Sequence, residues 1–237
     1  MPFDPTARIS SELCLETHAA REAHGFIWLW HAPGERLRQE ELPPLPWLAE
    51  APVPGDPATS TLDESWNASF TRVMESMLDI HHFPFAHRRF VPTSLGVLHP
   101  YTVATEGHVI RTHGTLAPPE GQTLPRLDLD VNCAFPGLFH FVFSPKMEGV
   151  VVCCPIDETR TWLGVRYAQR YVTLPVLSRL VAWLMVRLEF AVVQPDDRRM
   201  ISTAQPSQGT LASSQWTRAD RGAVEWYRLA QRGETLP

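Results

Sequence analysis

Hydrophobic and polar positions alternate in two regimes along this chain. From Ser65 to Ile80 the apolar positions Phe70, Val73, Met74, Met77 and Leu78 recur at three- and four-residue spacing, which predicts a helix with one apolar stripe. After Pro100 the period changes. Tyr101–Thr115, Leu127–Ala134, Leu138–Phe143, Gly149–Pro155 and Thr161–Val172 are β-rich runs. Turn-forming residues separate them, at Phe135-Pro136-Gly137, Pro145-Lys146 and Asp157-Glu158-Thr159. These runs predict an antiparallel meander of about five or more strands. Helical patterns return over Leu174–Val193 and Asp196–Ala204, separated or kinked at Pro195, and again over Trp216–Arg232.

The N-terminal part is weaker. Leu13–Leu15 and Gly25–Trp30 read as short strands, and Phe26-Ile27-Trp28-Leu29-Trp30 is apolar on both faces, as if buried on both. Six prolines fall between Leu42 and Pro57, where no periodicity survives, so this stretch reads as a surface loop or linker. The expected divisions are therefore residues 1–40, a Pro-rich linker over 41–60, and a main domain over 61–237. A helix, a meander and a long C-terminal helix imply an α+β fold. In this helix-grip arrangement an antiparallel sheet wraps the long helix and leaves an apolar cavity between them.

Composition narrows the function classes. The chain has 237 residues, 44% of them hydrophobic and 20% charged, with a formal net charge of -5. Such a chain folds, and nothing in its charge calls for nucleic acid or an anionic membrane as partner. Lys146 is the only lysine, and the arginines form no cluster that would bind phosphate. Four cysteines are too few for a disulfide framework. The most apolar stretch carries Arg179, Arg187 and Glu189, so no membrane span is expected, and without a visible signal peptide the expected compartment is the cytoplasm.

The segment that carries chemistry is Glu75-Ser76-Met77-Leu78-Asp79-Ile80-His81-His82-Phe83-Pro84-Phe85-Ala86-His87. Asp79 and His82 are three apart and share a helix face, so the carboxylate can fix the tautomer of a ligating imidazole. On an unbroken helix His82 and His87 would stand about 140° apart. A break at Pro84 would let both rings converge on one metal ion. His81 reads as structural or surface. Two histidines and one carboxylate make the facial triad of non-haem Fe(II) oxygenases, with positions left open for dioxygen and substrate. The third ligand is sought in Gln194-Pro195-Asp196-Asp197-Arg198-Arg199-Met200-Ile201, where Asp197 is favoured over Asp196. The same donor set suits zinc. A zinc hydrolase ranks lower because no nearby carboxylate is obviously placed as general base.

The Asp79, His82, His87 segment, with Trp66 and Glu75 before it, resembles the iron motif of Rieske non-haem iron oxygenase α subunits. Within that family it is most similar to the branch containing vanillate O-demethylase and pheophorbide a oxygenase. The stretch from Asp197 to Ile201 resembles the family's third-ligand helix, Gln205 falls near its usual downstream glutamine, and Pro155-Ile156-Asp157-Glu158 matches a turn between two strands. The resemblance runs from about residue 13 to about 232. It implies a START-like catalytic domain with mononuclear Fe(II) on His82, His87 and Asp197. Asp79 would be the bridging carboxylate that takes electrons from a neighbouring subunit's Rieske cluster, in a homotrimer. The expected activity is O2-dependent hydroxylation or O-demethylation of a small aromatic or polycyclic apolar substrate. Two departures stand out. Ser76 occupies a position where the family often has Asn. The Cys-x-His and Cys-x-x-His pairs that hold a 2Fe–2S cluster are absent, since Cys14 and His18 have the wrong spacing. His24–Trp30 resembles the last strand of a Rieske domain, so residues 1–40 are expected to be its tail. Electrons would then come from a separate Rieske protein or a ferredoxin and reductase. The competing expectation is a non-catalytic helix-grip protein holding a hydrophobic ligand on the stripe Phe135, Leu138, Phe139, Phe141 and Phe143. His99, His108, His113 and His140 are expected at the surface or lining the pocket.

Overall fold

The computed structural model describes residues 18–30, 42, 44–56, 58–123, 125–212 and 214–232. The Leu13–Leu15 strand and Cys14 lie outside them. The chain divides into two compact units, Met1–Leu45 and Pro46–Pro237.

In the first unit, β1 (Ala19–Ala23) pairs antiparallel with β2 (Phe26–Trp30). The hairpin turns on His24 and Gly25, with φ of 55° and 75°. Two consecutive positive φ values give a turn whose twist matches that of paired strands, and glycine adopts that region freely. Sequence alone suggested that β2 is covered on both faces. It is not: Ile27 and Leu29 are 77% and 67% exposed. The period-two alternation of a strand puts them together on one side, and no described residue covers them.

In the second unit, seven strands form one antiparallel sheet in the order β3-β9-β8-β7-β6-β5-β4. These are β3 (Thr59–Trp66), β4 (Val97–Glu106), β5 (Val109–Ala117), β6 (Leu127–Ala134), β7 (Leu138–Ser144), β8 (Met147–Pro155) and β9 (Thr161–Gln169). From β4 to β9 the strands follow one another as the predicted meander, and β3 closes the sheet by pairing with β9. Two boundaries differ from expectation. The run Tyr101–Thr115 is the arms of two strands, folded back at Gly107-His108. The helix expected from Ser65 begins at Phe70, because Ser65 and Trp66 complete β3. Weak alternation in Thr59–Trp66 hid that strand, since Leu62 and Trp66 are its only large apolar residues.

The Pro-rich stretch is more than a linker. Leu48 and Ala51 are buried, the Arg166 guanidinium donates to the Pro52 carbonyl (3.3 Å), and Arg111 pairs with Glu50 (2.6 Å). Residues 46–56 thus form a strap across the outer face of the sheet. Beneath it lies a buried polar cluster in which His140 meets Glu148 (3.0 Å) and Glu148 also meets Arg170.

The inner face carries the core. Ile110, Leu129, Val131, Phe139, Val151, Leu163 and Val165 alternate inward and meet Val73, Met74 and Leu78 of α1 (Phe70–Leu78) and Trp226 of α5 (Arg221–Gln231). The predicted long C-terminal helix is α3 (Pro175–Leu188) and α4 (Gln194–Ser202), joined by a π-helical turn at Glu189–Val193. The expected kink at Pro195 thus falls just after that turn. Proline has no N–H to give and is tolerated in the first turn of α4. α3 packs on β3 and β9, while Val176, Leu180, Trp183 and Leu184 on its far side are exposed. No helix among the described residues is long and apolar enough to cross a membrane.

Leu78 is fully buried at the junction of α1 and the sheet. Leu78→Ala is expected to cost about 2–5 kcal/mol of unfolding free energy, measured by urea denaturation.

Candidate metal centre and cavity

Helix α1 stops at Leu78 because Asp79 leaves helical geometry, at φ -88° and ψ 92°. Asp79 then caps a short 3-10 turn, Ile80–His82, and its Oδ1 accepts the backbone N–H groups of His81 (2.9 Å) and His82 (3.2 Å). A second short helix, α2 (Phe83–Ala86), follows with Pro84 in its first turn, and His87 ends it. The break is therefore at Asp79, and Pro84 starts a helix instead of breaking one. The physical reason is again that a first-turn residue needs no N–H donor. His81 takes the structural part expected of it: its Nε2 lies 2.7 Å from the Gly96 carbonyl.

His82 and His87 converge with their Nε2 atoms 3.2 Å apart. Asp197, in the first turn of α4, places Oδ1 3.3 Å from His82 Nε2 and 3.2 Å from His87 Nε2. Asp196 is not part of this triangle. Among the described residues, these three are the group of side chains that could hold a metal ion. Around an ion with bonds near 2.1 Å, ligand atoms at right angles stand about 3.0 Å apart and tetrahedral ones about 3.4 Å. The observed triangle fits either, so the geometry suits a facial triad and equally a zinc site. All three residues are buried, and Asp197 Oδ1 receives no hydrogen bond within the protein. The triad thus has the chemistry of a cation site and satisfies itself poorly without one.

Asp79 approaches His82 less closely than sequence suggested. Its Oδ2 is 3.9 Å from His82 Nδ1, too far for a hydrogen bond, and Nδ1 has no partner. Asp79 therefore acts on His82 through charge and through the backbone of the turn. Burial pushes the Asp79 carboxyl above its ordinary range, although the nearby His82 pulls it back. Burial works against charge on His82, but the carboxylates of Asp197 and Asp79 outweigh it and raise its pKa. For Asp197, burial is overcome by the two imidazoles, which hold it below the usual carboxylate range.

The triad sits in the wall of a cavity of about 340 Å³. Its apolar wall is built from alternate residues of neighbouring strands, including Trp66, Phe141, Phe143, Met147, Val151 and Tyr167, and from Met77, Phe83 and Leu188 on the helices. Of the predicted aromatic stripe, only Phe141 and Phe143 reach it. Phe139 is core, Leu138 points to the other face, and Phe135 packs on Trp226. Gly149 faces this wall, where a Cβ would stand 3.3 Å from the Tyr167 ring, so glycine lets Tyr167 and Phe143 stack at 5.9 Å. Ser76 lines the cavity as well. Glu75 does not. It receives Arg72 (2.5 Å) and the Tyr227 hydroxyl (2.6 Å), tying α1 to α5. Gln205 is exposed, and none of His99, His108, His113 and His140 lines the cavity. A second cavity, of about 250 Å³, is lined by Asp79 together with Arg72, Trp216 and Asp220, and Ser76 lines both cavities.

Three polar residues of the cavity wall escaped the sequence reading: Tyr167, Glu189 and Gln194. Glu189 read only as a charge that argued against a membrane span. Its position in the wall also removes the ground on which zinc hydrolysis ranked low. Burial first, and then the charge of Asp197, push the Glu189 carboxyl up to about 8, against the opposing pull of Tyr167. Burial and the facing Glu189 raise the Tyr167 phenol in turn.

Between pH 4.5 and 8, Glu189 keeps its proton in the folded chain and loses it in the unfolded one. Its contribution to stability is therefore largest at low pH and is lost as pH rises toward 8. In chelator-treated protein, unfolding free energy is expected to fall relative to Glu189→Gln by up to about 1.4 kcal/mol per pH unit across that window, measured by urea denaturation at pH 5, 6, 7 and 8.

No protein-family model and no curated protein matches the chain. Solved structures do. A QL mutant of NdmA from Pseudomonas putida CBB5, with theobromine, superposes with a TM-score of 0.68 at 18% identity, over 97% of this chain and 64% of that one. Dicamba monooxygenase bound to dicamba gives 0.63 at 14% identity, over 97% and 73%. The quaternary ammonium Rieske monooxygenase CntA gives 0.50 at 12% identity, over 74% and 49%. The chain thus spans less than two thirds of the length of NdmA. It has the α+β fold of the catalytic domain of Rieske oxygenases, a large antiparallel sheet with a long helix.

Proposed function

We propose that this chain is the catalytic part of a Rieske-type non-haem iron oxygenase. It would use O2 to hydroxylate or demethylate a small aromatic or apolar substrate. The observation that carries the reading is the meeting of His82, His87 and Asp197 within 3.3 Å of one another in the wall of an apolar cavity. The resemblance of the Asp79–His87 segment and the shared fold support it. The β1–β2 hairpin is read as the end of a Rieske domain, and the unit Pro46–Pro237, with its Pro-rich strap, as the catalytic domain. Electrons come from a Rieske cluster whose Cys/His motif this sequence does not contain. The assembly is read as a homotrimer in the cytoplasm, where the free thiols of Cys133 and Cys153 stay reduced.

His82, His87 and Asp197 would hold Fe(II) on one face and leave the cavity side open to O2 and substrate. When bound, such an iron supplies the oxygen-activating redox chemistry. The protein does the rest. The aromatic wall binds the substrate ring and keeps bulk water away from the open side of the triad. Asp79 stands 3.9 Å from His82 and also lines the second cavity, so its charge acts on both. Burial raises the Asp79 carboxyl, so beside His82 it holds its proton more firmly than an exposed carboxylate would. Ser76, shorter than the asparagine common at that position, leaves space beside the triad.

An apolar cavity also suits a ligand carrier, and the triangle also suits zinc. Metal content separates these readings. Protein purified anaerobically is expected to hold about one iron per chain, and His82→Ala with His87→Ala, or Asp197→Ala, is expected to lose at least about 90% of it. Zinc in place of iron, or metal unchanged in these variants, ends the oxygenase reading. Asp79→Asn is expected to keep iron but to slow product formation with an added Rieske donor at least about tenfold. Single-turnover and steady-state assays read that difference.

A further inference from the structure

The π-helical turn brings two more polar residues into a wall that is apolar apart from the triad, Ser76 and Tyr167. Five residues along an α-helix, Glu189 and Gln194 would stand about 140° apart. Across the wider turn the Gln194 backbone N–H bonds the Glu189 carbonyl, and both residues line the cavity. Gln194 is 3% exposed, and its Oε1 meets no donor in the protein. A buried acceptor without a donor is costly unless a ligand supplies one. The Glu189 carboxyl, protonated when the cavity is empty, still accepts through its carbonyl oxygen and becomes a carboxylate acceptor once an ammonium group displaces its proton, with Tyr167 opposite it. No lysine or arginine lines the cavity, so outside the triad the wall offers an anionic ligand no cationic partner. Phe83, Phe141 and Phe143 add aromatic surface, which attracts a cation once it is desolvated.

We propose that Glu189 and Gln194 form an acceptor pair that selects aromatic molecules bearing an amino or other N–H-donating nitrogen and rejects those bearing a carboxylate. The inference rests on the oxygenase reading only in taking this cavity as the substrate site, and it names the substrate class that the site accepts. Glu189 and Gln194 are specificity-determining residues here, separate from the metal ligands.

The test is ligand binding to the full chain without metal, so that an amine cannot bind through the ion. Benzylamine, benzyl alcohol and benzoate are titrated against chelator-treated protein by calorimetry, and Trp66 in the wall gives a fluorescence signal. Benzylamine is expected to bind about tenfold or more tightly than benzyl alcohol, and benzoate more weakly than either. Glu189→Gln is expected to bring benzylamine down to the level of benzyl alcohol, whose own affinity stays within about twofold. Gln194→Leu is expected to cut the preference about threefold. No measurable benzylamine binding, equal binding of amine and alcohol, or a preference kept in Glu189→Gln overturns the proposal. Iron content is scored separately. An amine preference in a chain that takes up no iron keeps the pair and removes the oxygenase; iron without the preference does the reverse.

Discussion

Two imidazole nitrogens and a carboxylate oxygen share a space about 3.2 Å on a side, away from water. Protons alone serve this triangle badly. One proton can lie between His82 and His87 or between either ring and Asp197, but the remaining lone pairs still face one another. The cost is met by making the two segments that carry the triad very well determined. One is held by Asp79 capping its own turn and by the buried helix α1 before it. The other is held by α4 and by the ion pair of Arg198 with Glu64, which in turn receives the Trp66 indole. Sheet, helices and turns thus converge on a place where the chain by itself is electrostatically unsatisfied. A cation bound there would tie residue 82 to residue 197 and close a loop of more than a hundred residues, so metal affinity is also folding free energy.

The π turn is the second constraint. One extra residue between α3 and α4 changes which side chains face inward, and it does so immediately before Asp197. Asp197 falls on the buried side and Asp196 does not, while Glu189 and Gln194 come into register with the cavity. Had the helix run on regularly, these residues would point in different directions.

Much of this was legible in the sequence, and the reasons are specific. The triad was readable because histidines three and eight residues after an aspartate, beside a proline, are a rare local pattern with a chemical meaning. Asp197 was separable from Asp196 because Met200 and Ile201 marked the buried side of its helix. The meander was readable because β4 to β9 alternate strongly. What escaped depended on non-local packing or on irregular backbone. β3 carries few apolar residues and is a strand because β9 offers it a partner. The strap over residues 46–56 has no period, yet Leu48 and Ala51 find a face to cover. Phe26–Trp30 looked buried on both sides because apolar composition says nothing about whether a neighbour is there. Glu189 and Gln194 were invisible because nothing in the residue pattern announces a π turn.

The strict alternation of the central strands carries one more consequence. On β7 and β8, Phe141, Phe143, Met147 and Val151 face the cavity, whereas His140, Glu148 and Val150 are buried against the opposite side. Odd and even positions of the same few strands therefore answer to different selective demands. Substitutions at the odd positions reshape the guest space without touching the strap or the triad, so the two faces of one strand can vary independently.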